Sequence, residues 1–391
     1  MLRIDDRQRR ARLGPRHHLA PWERADGPVE VAGDLAGLHA SDPGSVYLAA
    51  YSRTSALEVG TLERALYEER SLLKVLGMRR TMFVVPVELA AVINSACTRA
   101  IGRQERRRLV RMLEGIAVAA DAERWLGQVE AATMAALEAR GEATAAELTR
   151  EVPELRTQIS FGEGRKWAGT VGLSTRVLFL LAAEGRIIRA RPRGSWISSL
   201  YRWAPMDGWV RGGLGELPPD DARRELVRRW LAAFGPGTLA DLRWWTGWTV
   251  GEVRRALEAI DVAEVDLDGA TGLVLANDLE PVDETEPWAA LLPALDSTVM
   301  GWTARGWFLG EHGPALFDRN GNAGPTVWWD GRVVGGWGQS ASGEVVFRLL
   351  EDVGFDAVEA IESAAARLSA WLGRVRITPR FRTPLELELS R

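Results

Sequence analysis

Hydrophobic and polar positions alternate along this chain in blocks that repeat one pattern: helical periodicity first, then two short β-rich runs around a turn. Residues 42–55 and 60–69 read as helices, the first capped by Asp42 with Pro43 at the first helical position. The run from Ser71 to Pro86 holds two β-rich stretches about Gly77–Arg80, which reads as a hairpin. Pro86 opens another helix carrying Val87, Leu89, Ala90, Val92 and Ile93. Further on, the spacing predicts helices over 122–139, a Thr144-capped stretch and 170–184, stopped by Gly185. A long hairpin follows, with strands 186–193 and 196–203. The cleanest block has helices over 221–234, 239–246 and 250–260, then strands 262–267 and 271–276 about Asp268-Gly269. Beyond residue 286 the pattern changes to short strands, a hairpin about Asp330-Gly331 and a helix over 354–371.

Helices followed by a hairpin make a winged helix. The expected fold class is therefore α+β, with three tandem winged-helix modules followed by a small C-terminal β-barrel, or else a β-sheet capped by the helix over 354–371. The divisions are a basic N-terminal arm at 1–28, winged helices at 29–119, 120–215 and 216–280, and a barrel with its terminal helix at 281–391.

Charge changes this picture locally. The formal net charge of −4 excludes a uniformly basic nucleic-acid binder but allows a basic cleft on an acidic body. Positive charge is almost all arginine, the only lysines being Lys74 and Lys166. Arg99, Arg103, Arg106 and Arg107 fall on one helical face, either a phosphate contact or a solvated face paired with acids such as Glu105 and Glu114. Arg79 and Arg80 mark a hairpin tip or a phosphate contact. Arg189, Arg191 and Arg193 stud the long wing, which suits entry into a groove. The Arg-rich lead-in is either a phosphate-tracking arm or a solvated, partly helical segment. Trp230, Trp244, Trp245 and Trp248 read as packing anchors.

Cys97 is the lone cysteine, so no internal disulfide is expected, and the four histidines lack metal-ligand spacing. No metal or cofactor is expected. The longest apolar run, Val177 to Ala183, is too short to span a membrane, and the first residues lack a signal core. A cytoplasmic monomer without membrane contact is the expectation.

The candidate chemistry lies in Gly37-Leu38-His39-Ala40-Ser41-Asp42-Pro43. In extended backbone His39 and Ser41 face the same way and can share one pocket. This run resembles the Gly-Leu-Gln-Ala-Gln-Asp-Pro signature of the AlkZ-like winged-helix DNA glycosylases, with both glutamines replaced. Gly77-Met78-Arg79-Arg80-Thr81-Met82-Phe83 is similar to that family's Met-Arg-Gly-Thr-Leu-His block, with Arg80 for Gly and Phe83 for His. The blocks around Arg224–Trp245, Leu291–Gly301 and Pro325–Trp337 also resemble it, so the likeness runs from about residue 33 to 340. Asp296 and Arg305 stand at motif positions and read as structural ion-pair members.

The resemblance implies modules curved around duplex DNA with alkylated bases, and monofunctional hydrolysis of the N-glycosidic bond of N7-alkylpurines, in the setting of self-resistance to a DNA-alkylating natural product. Its catalytic candidates here are His39, Ser41 and Asp42. His39 would orient or deprotonate water, Ser41 would reach it through a further solvent molecule, and Asp42 is either a charge near the developing cation or a helix cap. On this reading the His39 ring opens to solvent on the inner wall of an arginine-lined groove. The alternatives are a non-catalytic DNA- or lesion-binding protein and a drug-sequestering protein with a Trp-lined pocket.

Overall fold

The computed structural model describes residues 1–161, 169–283 and 286–391. Its first sheet is antiparallel, with Met82–Pro86 between Leu72–Leu76 and the short strand Leu38–His39. Helices Pro28–Asp34, Pro43–Tyr51 and Val59–Tyr67 belong to the same part of the chain. The expected Gly77–Arg80 turn is there, with Arg79 and Arg80 both at left-handed φ. The helix after Pro86 is Val87–Ile93; it passes through a π-helical turn at Asn94–Thr98 into Arg99–Gly115.

Ala122–Arg140 and the Thr144-capped helix Ala145–Glu151 follow as expected. The helix expected over 170–184 begins only at Leu173, because Gly169–Gly172 pairs as a strand with Gln158–Phe161. The long hairpin joins Ile187–Pro192 to Tyr201–Pro205. Its return strand starts later than expected because Trp196 is buried against Tyr47 and Trp371 instead of lying in the ladder. Thr238 and Thr249 each form a capping box, so Leu239–Thr246 and Val250–Leu257 start where the sequence predicts.

Two expectations are corrected. The N-terminal stretch is no free arm: Leu2–Arg3 adds a parallel strand beside Val262–Leu267. Arg12 is buried, donating to the Glu280 carbonyl, and Arg16 pairs with Asp278. The C-terminal unit is not a closed barrel. It is an open four-stranded antiparallel sheet in the order Ala289–Leu292, Thr326–Trp329, Arg332–Gln339, Val345–Leu349. Its two outer strands do not pair with each other, and helix Phe355–Leu372 packs on the sheet.

The parts are joined by a polar cluster. Arg53, fully buried, forks onto Asp296 at 2.9 and 2.7 Å and also donates to Ala49 O and Thr298 Oγ1. The Thr298 hydroxyl meets His17 Nδ1 at 2.8 Å, and His17 Nε2 meets the Ala233 carbonyl at 3.0 Å. Because Thr298 Oγ1 accepts from Arg53, its proton points to Nδ1, and His17 carries its own proton on Nε2. Asp296 is thus the structural ion-pair member expected. Arg305 is not: it stacks on Trp244 and Phe317 and donates to Val299 O.

Asp296→Asn removes the charge facing a guanidinium that has no access to water. It should lower unfolding free energy by about 3–5 kcal/mol, read from the midpoint of a urea titration.

Candidate active site

The motif strand is short for a physical reason. The extended run stops at His39; Ala40 N–H still donates to Met82 O at 2.7 Å, and the chain then bends into the Asp42 cap. Alternation therefore does not carry from His39 to Ser41, and the two side chains do not share a pocket.

His39 is only 5% exposed. Its ring meets Phe83 edge-on at 5.2 Å, and Nδ1 is buried without a hydrogen-bond partner among the described residues. The expectation of a ring open to solvent is corrected here: Phe83, opposite it in the ladder, covers it. Burial, and secondarily Arg79, push its pKa down to about 3, so it is neutral at physiological pH. Its backbone N–H donates to Ser297 Oγ, whose hydroxyl donates to Gly37 O. Asp42 is occupied as a cap: one oxygen accepts from Gly44 N–H, the other from Arg380 N–H at 2.8 Å.

Ser41 lines a cavity of about 310 Å³. The walls come from the strands Leu72–Leu76 and Met82–Pro86, the π-turn, helix Leu173–Ala183 and the long hairpin. The polar lining is Ser41, Lys74, Arg80, Asn94, Thr98, Thr175 and Arg189, with no carboxylate among the described residues; the rest is mostly apolar. Lys74 is buried and donates to the Tyr201 hydroxyl at 2.5 Å. Burial, then Arg189, bring its pKa down to about 7, with Asp42 opposing and Arg380 assisting. Tyr201 is pushed up to about 12, chiefly by burial.

Sequence reasoning missed Lys74, Asn94 and Tyr201. The available signal was a lysine in a strand of a chain whose basic residues are otherwise almost all arginine. The π-turn that places Asn94 left no trace in the helical pattern; such turns are frequent at functional sites.

The arginines divide sharply. Arg106 is held by Glu123, Glu130 and Glu184 at 3.0, 2.7 and 2.8 Å, and Arg191 by Glu63 and Glu68 at 2.8 and 3.0 Å. These two are internal ties and not open contacts, because carboxylates from neighbouring helices converge on them. Arg79 stacks on Trp244 at 3.9 Å, and Arg189 lies over Tyr201 and Trp203 inside the cavity wall. Arg80 pairs with Glu105 and Arg99 with Glu216, both near 3 Å. Arg103, Arg107 and Arg193 are exposed.

A family match accompanies this geometry. The model for DNA glycosylase AlkZ-like proteins matches residues 32–371, and the chain belongs to that family. A relative from Streptomyces sahachiroi, "Interstrand DNA cross-link repair glycosylase", is 28% identical over 176 residues. That match takes in 42% of this chain and 47% of the relative, so the chain spans about half the length of the curated relative it matches. The solved structure of the Streptomyces sahachiroi DNA glycosylase AlkZ superposes with a TM-score of 0.71 at 22% identity, over 97% of this chain and 100% of that one, which establishes a shared fold.

Two neutral buried imidazoles make stability pH-dependent. His17 and His39 both have folded-state pKa values near 3, against about 6.5 unfolded. Below pH 6.5 the unfolded chain takes up protons that the folded one refuses, so their stabilising contribution is full above 6.5 and is lost as pH falls toward 3. Replacing His39 with Leu should flatten the fall in urea-unfolding stability between pH 6.5 and 4 by up to about 1.4 kcal/mol per pH unit.

Proposed function

We propose that this chain is a DNA glycosylase that hydrolyses the N-glycosidic bond of N7-alkylpurines in duplex DNA, as its family membership implies. The observation that carries this reading is the cavity against the motif, with Ser41 on its wall and cations around it. Such a lesion base is already positively charged and leaves without prior protonation, so the site must bring water to C1′ and tolerate an oxocarbenium-like sugar. Ser41 is the motif residue able to hold that water. Asp42 caps the helix that carries the frame, and neutral His39 supports the wall from behind. The cavity has no carboxylate of its own among the described residues, so stabilising negative charge comes from the flanking phosphates, drawn in by Arg80 and Arg189.

In the same reading the segments 29–119, 120–215 and 216–280 are three winged-helix modules along the duplex. Backbone contacts fall to Arg80, Arg99, Arg103, Arg107 and Arg193, with Arg189 meeting phosphate at the cavity, while Arg79, Arg106 and Arg191 work within the fold. Among the described residues no helix is long and apolar enough to cross a membrane.

The buried imidazole favours one competing reading, a lesion-binding protein without chemistry. Single-turnover assays on duplex containing 7-methylguanine separate the two. The wild type should release free base, and Ser41→Ala should slow release by on the order of tenfold to a hundredfold. Salt-dependent duplex binding with no release would establish the binding protein instead.

The arginine assignment has its own readout. Replacing Arg103 and Arg107 together with Ala should lower the slope of log affinity against log salt by about 2 without loss of stability. Arg106→Ala should instead lower the melting temperature, because it leaves Glu130, which is buried, and Glu184 with only the longer Arg186 contacts at 4.0 and 3.7 Å.

A further inference from the structure

Lys74 is a buried cation with no anionic partner. It lines the cavity beside Ser41, its hydrogen bond goes to a neutral phenol, and no carboxylate among the described residues pairs with it. Nζ also lies 4.3 Å from the Tyr201 ring centroid. The charged groups that act on it are Arg189, Arg380 and Asp42, two cations against one carboxylate. An amine desolvated in an apolar pocket beside other cations gives up its proton near neutral pH and becomes a nucleophile, which a guanidinium does not do. Of the chain's 49 basic residues only Lys74 and Lys166 are lysines, and Lys74 is the one that lines this cavity.

The lining also selects what enters. Arg80 and Arg189 on the lining suit a sugar flanked by phosphates. A volume near 310 Å³ is enough for a deoxyribose. Base loss leaves such a sugar, in equilibrium with its ring-opened C1′ aldehyde.

We infer a second activity in this cavity: Lys74 captures the C1′ aldehyde of an abasic site as an imine and cleaves the strand on its 3′ side. The inference rests on the reading of this cavity as the DNA site. Neutral Nζ adds to the C1′ carbonyl carbon, and the carbonyl oxygen, protonated, leaves as water to give the protonated imine. The C2′ proton passes to water, the C2′–H electron pair forms the C2′=C3′ bond, and the C3′–O bond breaks with the 3′-phosphate as leaving group. Hydrolysis of the imine consumes one water and returns the amine. No oxidant or reductant is involved. Tyr201 is a positioning residue that holds Nζ against the wall.

The test uses the full chain and a duplex with a single abasic site, prepared beforehand by uracil excision, in the presence of sodium borohydride. Reduction converts the imine to a stable secondary amine. The wild type should give a covalent protein–DNA adduct whose peptide maps to Lys74, and Lys74→Arg should reduce its yield, and strand cleavage without borohydride, at least tenfold. Absence of an adduct overturns the inference, as does an adduct at Lys166 or at the N-terminal amine, or one undiminished in Lys74→Arg. Mapping the wild-type adduct decides the matter even if the variant fails to fold. Because the substrate is already abasic, the result is independent of base release. Trapping at Lys74 without 7-methylguanine release overturns the glycosylase reading alone, and release without trapping overturns this one alone.

Discussion

Three consecutive residues, Asp296-Ser297-Thr298, hold the motif where it is. Asp296 neutralises Arg53 at the end of the helix that Asp42 caps, Ser297 bridges Gly37 O and His39 N, and Thr298 ties Arg53 to His17. The C-terminal unit, the motif segment and the N-terminal stretch therefore share one desolvated hydrogen-bond network. Its energetics are asymmetric. A buried ion pair adds little over apolar packing of the same shape, but half of one is costly. The network thus defines a single relative placement of distant segments more than it adds stability. It also explains why the N-terminal arginines are inside: a segment that delivers His17 to Thr298 cannot trail in solvent.

Much of this was readable from residues whose roles are local. Asp42-Pro43, Thr238, Thr249 and the Asp268-Gly269 turn act through their own backbone neighbours, so the elements they start or connect appeared as expected. What failed depended on distant partners. Trp196 reads as a strand residue until Tyr47 and Trp371 offer it a buried seat. The terminal strands read as a barrel until the sheet is seen to end at both edges with a helix across it. Arg106 and Arg191 read as exposed until carboxylates from 17 to 128 positions away close on them.

The site shows the same division. The location was legible, because the frame around His39 is carried by local backbone requirements. Gly37 sits at φ 116, where a Cβ would also meet Val85 at 2.9 Å, and Asp42 and Pro43 begin a helix. The chemistry was not, because it depends on which side chains from other elements face the same space. Lys74, Asn94, Arg189 and Tyr201 come from three separate parts of the chain, and no spacing rule relates them.

That contrast bears on what the altered motif means. Gly37, Asp42 and Pro43 are all accounted for by geometry, so a chain keeping them keeps the placement of the segment whatever stands at 39 and 41. The chemical identity of the site is free to vary on top of this frame. Here those two positions hold a buried neutral imidazole and a short hydroxyl. At the motif, the cavity wall accordingly offers the Ser41 hydroxyl. The groups that reach the same space from opposite it are Lys74 and Arg189, one on the sheet and one on the hairpin. The charge at the cavity therefore comes from the neighbouring elements and not from the motif strand. In the proposed reading this lining meets the sugar and its phosphates, so discrimination among lesions would fall on the backbone conformation they impose as well as on the alkyl group they carry.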